Sequence, residues 1–300
     1  MSTSTGSAWW QLLRAGNVLT AISNILAGYL LARGAWQPVV PLLFLVVSSA
    51  LLYLSGMVLN DVFDLEVDRM ERPERPLPSG SIDPSLAKLV GWGLLVDGLS
   101  AAAVAAWLLA SWLPIITAAL LAAAIIAYNA GLKNTQLGPL AMGLCRSSNI
   151  LLGASATSLL LLPTSAYLYA AAISLYTIGL TLLARNEARE SQKHDLRIAN
   201  VVIQLGCLLI LFFASTTLAV PKFGWLCAWA MGMILVRSQP WEAIKDPTPQ
   251  RVQKSVSNLI LLFIPLDAIA GTAAAGWLAG LIILSLLIPT YIATRRIPMT

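Results

Sequence analysis

The sequence predicts an all-α, polytopic membrane protein with nine or ten transmembrane helices. They are expected as two pseudo-repeated four-helix units around a central cavity. Three observations carry this. Hydrophobic residues make up 58% of the chain and charged residues only 11%, far from the balance of a soluble domain. Apolar runs near the roughly 20 residues needed to cross a hydrocarbon core recur along the whole length. Two short polar motifs each occur twice, in the same order.

Taken in order, the runs cover 16–34, 39–59, 88–110, 113–130, 137–162, 166–184, 199–219, 222–237, 256–273 and 276–293. The eighth is short, and the last two are divided only by the stretch from Gly271 to Gly276, which leaves the count at nine or ten. The whole chain, 1–300, reads as one transmembrane domain, with pseudo-repeats over about 10–135 and 140–240 and trailing helices over 250–295. Asp83-Pro84 and the segment from Trp241 to Pro249 read as loop punctuation.

Charge sets the expected orientation. With the N-terminus cytoplasmic, only Arg33 and Lys222 fall on the far side and Arg146 inside a span, while every other Lys and Arg is cytoplasmic. That is a strong positive-inside asymmetry. The net charge of +5 therefore reflects topology and anionic lipid, and nucleic acid is not an expected partner. The Ser/Thr-rich opening with Trp9-Trp10 lacks the pattern of a cleaved signal, and the two Trp read as an interfacial anchor. Cys145, Cys207 and Cys227 lie in apolar spans at no metal-ligand spacing and read as small packing residues, and the lone His194 makes no metal site by itself.

The most specific stretch follows the second run: Asn60-Asp61-Val62-Phe63-Asp64-Leu65-Glu66-Val67-Asp68, then Arg69, Arg72 and Arg75. On a helix, Asn60, Asp64 and Asp68 stand at i, i+4 and i+8, so their oxygens line one face. Hard cations such as Mg²⁺ take oxygen ligands and are held by a few carboxylates plus substrate phosphates. Arginine forks suit phosphate oxygens. The segment thus reads as a metal-assisted polyanion site at the mouth of a membrane helix, against the alternative of a solvated loop of mixed charge.

The motif is echoed. Asn60-Asp61-x-x-Asp64 recurs as Asn186-Glu187-x-x-Glu190 beyond the sixth run, and Arg14-x-x-Asn17 as Arg146-x-x-Asn149 in the fifth. Both acidic mouths then fall on the cytoplasmic face, opposite each other across the cavity. Arg146 lies about 12 Å into its span at 1.5 Å per residue. A charge that deep faces the bundle interior or a watery cavity; the alternative is a buried Arg paired with Asp97 or Asp267. Asn149, one turn deeper, extends the same polar pocket.

These residues resemble the UbiA superfamily of intramembrane prenyltransferases over nearly the full length. The run from Asn60 through Arg72-Pro73-Glu74-Arg75-Pro76-Leu77-Pro78-Ser79-Gly80 is especially similar to the branch of digeranylgeranylglyceryl-phosphate synthases, chlorophyll synthases and EboC-like proteins, as is Tyr128-Asn129 with Lys133. The resemblance implies an enzyme that uses Mg²⁺ to hold a polyprenyl diphosphate and passes the prenyl group to a lipophilic acceptor within the membrane. By position it implies Asn60, Asp64 and Asp68 at one metal and Asn186, Glu187 and Glu190 at a second. Asp64, Asp68, Lys133 and Arg146 carry the catalytic expectation. Arg72, with Lys133 and Arg146, would neutralise diphosphate; Asn17, Tyr128 and Asn149 would line the substrate pocket.

The chain departs from the family pattern in three places. Asn186 and Glu190 fill a spacing the family gives to aspartates, His194 stands where the repeat would place a counterpart of Asp68, and Asn129 rather than Tyr128 lies four before Lys133. A UbiA-like lipid or metabolite carrier and a prenyl-lipid-binding protein with a weakened second metal site are the competing readings.

Overall fold

The computed structural model describes residues 5–157, 162–185, 191–214 and 218–296. Among these the chain is helical, with short turns and no strand. The helices are α1 (Thr5–Leu13), α2 (Val18–Arg33), α3 (Val39–Phe63), α4 (Leu65–Glu71), α5 (Pro84–Leu108), α6 (Leu113–Ala130), α7 (Gly138–Ala154), α8 (Thr164–Ala184), α9 (Lys193–Ala214), α10 (Lys222–Lys245), α11 (Pro249–Leu261), α12 (Phe263–Ala275), α13 (Trp277–Ser285) and α14 (Leu287–Arg296).

Eight helical stretches among the described residues are long and apolar enough to cross a membrane, making this a multi-pass membrane protein. Helices also stand at the two other expected runs. There, however, α7 is only 17 residues long, and α10 ends in a polar stretch holding Arg237, Glu242 and Lys245. By length and composition eight stretches qualify among the described residues, and the expected count of nine or ten is not confirmed. Two further boundaries differ from expectation. Asp83 caps α5 by accepting the Leu86 N–H at 2.9 Å, with Pro84 in the first turn, where a missing N–H costs nothing. Trp241 to Lys245 continue α10 past Pro240, so only 246–248 form the loop.

Without a hydrophobic force between helices in lipid, close packing of small residues holds a membrane bundle. At the crossing of α2 and α7 the two backbones approach each other directly. A methyl on Gly28 would collide with the Ile150 carbonyl, and one on Gly153 with the Ile25 carbonyl. Each helix thus presents a glycine to the other's backbone, one residue type serving both sides of the contact. From this crossing the core spreads two ways. Ala27, Leu30, Ile150 and Ala154 join the aromatic cluster of Tyr169, Tyr176, Phe213, Trp225 and Phe263. Ile25, Tyr29 and Leu152 join Leu45, Leu52 and Leu59 of α3 with Leu121 and Ile125 of α6.

α1 is an accessory helix at one end of the bundle. Ala8 and Leu12 pack on Val58 of α3 and on Leu77 and Ile82 of the loop after α4, while Trp10 stays exposed. The prolines at 73, 76 and 78 keep that loop out of helix, yet its apolar residues pin it to the bundle. Between α1 and α2 the chain turns at Arg14, which adopts φ 44°, an uncommon left-handed conformation for a non-glycine residue.

Candidate active site

A cavity of about 590 Å³ opens among α2, α3, α6, α7, α8, α11 and α12. One wall is a single stripe along α3 and α4: Ser49, Tyr53, Asn60, Asp64, Asp68 and Glu71 all line it. The chain passes from α3 to α4 at Asp64 without losing its helical bonding. The Asp64 N–H donates to the Asn60 carbonyl at 3.0 Å, and the Asp68 N–H to the Asp64 carbonyl at 2.8 Å. The i, i+4, i+8 face expected for Asn60, Asp64 and Asp68 is therefore continuous.

Lys133 meets this stripe from the opposite wall. Gly131, at φ 156°, ends α6, and a short 3₁₀ turn over Leu132–Asn134 swings the lysine inward. Its Nζ lies 2.6 Å from Asp64 Oδ1 and donates to Asn60 Oδ1 at 3.1 Å. Asn129 locks this end of α6 to α3 by donating from Nδ2 to the Gly56 carbonyl at 3.1 Å. Asp68 is buried and accepts from Arg75 Nη1 at 2.7 Å. Arg72 and Tyr128 line the same space.

Deeper in, Arg146 of α7 donates to the Thr20 carbonyl at 3.3 Å, to Thr20 Oγ1 at 3.1 Å and to Asn24 Oδ1 at 3.0 Å. Its guanidinium lies over the Phe263 ring, 4.3 Å from the centroid, a cation–π geometry. Asn149 is tied down on both sides, accepting from Ser49 Oγ at 2.7 Å and donating to the Ala21 carbonyl at 2.9 Å. Asn17 is buried at the cavity wall. The alternative pairing of Arg146 is only half met. Asp97 is exposed on α5, and Asp267 stands one asparagine away, bonded to the Asn24 amide whose oxygen faces Arg146.

Of the expected site residues, Asn17, Asn60, Asp64, Asp68, Arg72, Tyr128, Lys133, Arg146 and Asn149 thus come together in one cavity. Asn186, Glu187 and Glu190 lie outside the described residues. The chain before them is described to Arg185, which lines the cavity and reaches the Thr135 carbonyl at 3.3 Å. His194 is exposed and does not line the cavity. Cys207 is a buried packing residue as expected, whereas Cys145 lines the cavity and Cys227 is exposed.

Arg75, expected among the arginine forks, lines the cavity, and so do several residues given no role in advance: Arg14, Tyr53, Asn129 and Arg185. Arg14 and Arg75 share a partner outside the cavity, the buried carboxylate of Asp61. A sequence signal existed for the deeper layer. Ser23-Asn24-Ile25-Leu26 recurs as Ser148-Asn149-Ile150-Leu151, a longer match than Arg14-x-x-Asn17 with Arg146-x-x-Asn149, and these two segments are the ones that cross reciprocally at Gly28 and Gly153.

The described donor set fits a hard divalent cation in part. Asn60 and Asp64 already aim one oxygen each at a single cationic centre, the Lys133 ammonium, and Asp68 follows on the same face. Two carboxylates and an amide are the kind of shell Mg²⁺ accepts, with remaining positions left to phosphate and water.

The described residues thus form a polytopic helical bundle whose cavity gathers the carboxylates of Asp64, Asp68 and Glu71 together with the guanidinium groups of Arg14, Arg72, Arg75, Arg146 and Arg185. The chain belongs to the UbiA prenyltransferase family, whose model matches residues 21–266. A digeranylgeranylglyceryl phosphate synthase from Methanoculleus marisnigri is 35% identical over 148 residues, covering 49% of this chain and 50% of that protein; the chain spans about half the length of this curated relative. Among solved structures, a digeranylgeranylglyceryl phosphate synthase superposes with TM-score 0.66 at 22% identity, over 91% of this chain and 99% of that one. A UbiA homologue from Archaeoglobus fulgidus bound to DMAPP and Mg²⁺ superposes with TM-score 0.55 at 13% identity, over 92% and 99%. At these identities the two structures establish the shared fold.

Proposed function

We propose that the protein transfers a polyprenyl group from a polyprenyl diphosphate to a lipid-soluble acceptor inside the membrane, with Mg²⁺ holding the diphosphate. The observation that carries this reading is the convergence of Asn60 Oδ1 and Asp64 Oδ1 on Lys133 Nζ within a cavity also lined by Arg14, Arg72, Arg75, Arg146 and Arg185. The oxygens suit a metal, and the cations suit the phosphates that the metal leaves partly charged.

In this reading Asn60, Asp64 and Asp68 bind one ion, and Asn186, Glu187 and Glu190 bind a second. Glutamate is one methylene longer than aspartate but offers the same carboxylate oxygens, so it would still serve a hard cation. Lys133, Arg72 and Arg146 bind the diphosphate oxygens, and Asn17, Tyr128 and Asn149 complete the pocket. Both acidic motifs face the cytoplasm, where the lysines and arginines concentrate. The chain is organised as two half-units, about 10–135 and 140–240, followed by trailing helices; the reciprocal glycine contact between α2 and α7 supports that symmetry.

The reaction breaks the allylic C–O bond, and the electron pair leaves with the diphosphate. When bound at Asn60, Asp64 and Asp68, Mg²⁺ would supply Lewis-acid neutralisation of that charge. Lys133, Arg72 and Arg146 add fixed positive charge where the negative charge grows, and such preorganised electrostatics is usually the largest catalytic term. Apolar lining from Leu121, Ile125, Leu180, Val256 and Ile260 keeps water from the electron-poor prenyl carbon until the acceptor bonds to it, the proton that the acceptor atom gives up passing to the released diphosphate. The relatives' name makes geranylgeranyl diphosphate and a geranylgeranylglyceryl phosphate acceptor the first pair to assay.

The deciding experiment incubates purified protein with geranylgeranyl diphosphate, Mg²⁺ and that acceptor, then a quinone-like or chlorin acceptor. Release of diphosphate together with a prenylated product, both lost in Asp64→Ala, is the expected result. Substrate flux into liposomes without diphosphate release would establish a carrier instead.

A further inference from the structure

The hydrogen bonds of Arg146 go to neutral acceptors on Thr20 and Asn24, and its guanidinium lies flat over Phe263. Behind Asn24 lies Asp267 of α12, which is fully buried. Its carboxylate accepts from Ser23 Oγ at 2.5 Å, from Tyr169 OH at 2.6 Å, and from Asn24 Nδ2 at 2.9 and 2.8 Å, one to each oxygen. Asp267 does not line the cavity and belongs to no sequence motif.

The chemistry of these groups runs in one direction. A carboxylate accepts hydrogen bonds and a guanidinium donates them. An amide standing between the two can satisfy both only with its NH₂ toward the carboxylate and its oxygen toward the guanidinium. Were the Asn24 amide reversed, it would present a donor to Arg146 and an acceptor to Asp267, leaving buried polar groups unpaired, which is costly.

We propose that Asp267 is a positioning residue for the anion site: by fixing the polarity of the Asn24 amide it holds the Arg146 guanidinium in the orientation that meets diphosphate. The carboxylate acts across one side chain and touches neither substrate nor metal. This makes α12, far from both acidic motifs in sequence, part of the apparatus that orients the donor headgroup. The inference rests on the diphosphate reading above.

The test measures affinity of the purified full chain for geranylgeranyl S-thiolodiphosphate, a donor analogue that does not ionise readily, with Mg²⁺ present. Binding by the unmutated chain tests the diphosphate reading itself, and its absence would sink that reading and this inference together. Given binding, Asp267→Asn removes the demand for a particular amide orientation and is expected to weaken affinity roughly tenfold, the size of one lost hydrogen bond to a charged group. The double variant Asn24→Asp/Asp267→Asn moves the carboxylate to position 24, where it accepts from Arg146 directly, and places a donating amide at position 267. It is expected to recover affinity. Tyr169→Phe also strips a hydrogen bond from Asp267 but leaves the Asn24 amide constrained, so it is expected to lower thermal stability with affinity retained. Unchanged affinity in Asp267→Asn, or an equal loss in Tyr169→Phe, would show a merely structural carboxylate. If Asp267→Asn does not fold, the double variant decides: affinity near that of the unmutated chain supports the relay, and a tenfold loss overturns it.

Discussion

Asp61 directs its carboxylate onto Arg14, with Oδ1 3.5 Å from the guanidinium, although it sits between two residues of the rim, Asn60 and Asp64. The same oxygen lies 3.7 Å from Arg75. One step along a helix rotates a side chain by about 100°, so Asp61 points behind the face that carries its neighbours. It holds two cavity arginines from the rear, and Arg75 in turn holds Asp68.

Asp61→Asn should therefore destabilise the fold without altering the metal requirement. Breaking one side of a buried ion pair costs about 3 kcal/mol. The apparent Tm in detergent is expected to fall, while the Mg²⁺ concentration for half-maximal donor binding stays as in the unmutated chain. A shift in that concentration with unchanged Tm would make Asp61 a ligand instead.

Asp64→Asn should act the other way. The side chain keeps its shape and is partly open to the cavity, so thermal stability changes little. Turnover, followed as diphosphate release, should fall by about 100-fold or more, the usual scale for losing a preorganised electrostatic contact in the transition state. Comparable turnover would remove Asp64 from the metal site.

Lys133→Met should separate metal from donor. The ammonium, at 2.6 Å from Asp64, competes with any cation for the Asn60 and Asp64 oxygens. Replacing it with an apolar chain of similar length is expected to tighten Mg²⁺ binding measured calorimetrically without donor, and to weaken donor binding. A loss of both affinities would mean that Lys133 supports the site only by packing.

Gly28→Ala and Gly153→Ala should each force α2 and α7 apart, because the added carbon meets carbonyl backbone rather than a side chain that can turn away. Overpacking of this kind costs about 1–3 kcal/mol. Both variants are expected to show lower apparent Tm, and the double variant less than the sum of the two, since both strain one crossing. Unchanged Tm in either would argue that the helices part easily.

The rim was legible because its logic is local. Asn60, Asp64 and Asp68 occupy one helical face by spacing alone, and the prolines from Pro73 to Pro78 mark where that helix must stop. Arg146 was legible by depth, since a charge that far into an apolar run needs a polar interior. The span count was less so. Apolar runs at 137–162 and 222–237 carry enough hydrophobic residues to suggest crossings, but α7 is short and α10 ends in charged turns.

What the linear chain specified, then, was the class of fold and the residues of the acidic rim, because hydropathy over about 20 residues and periodicity along one helix are properties of neighbours in sequence. Which partners each charge took was settled by folding. Lys133 against Asp64, Arg14 and Arg75 against Asp61, and Asp267 behind Asn24 join residues from separate segments. Such contacts depend on how glycine-lined surfaces bring those helices together, and no local pattern encodes the distance between them.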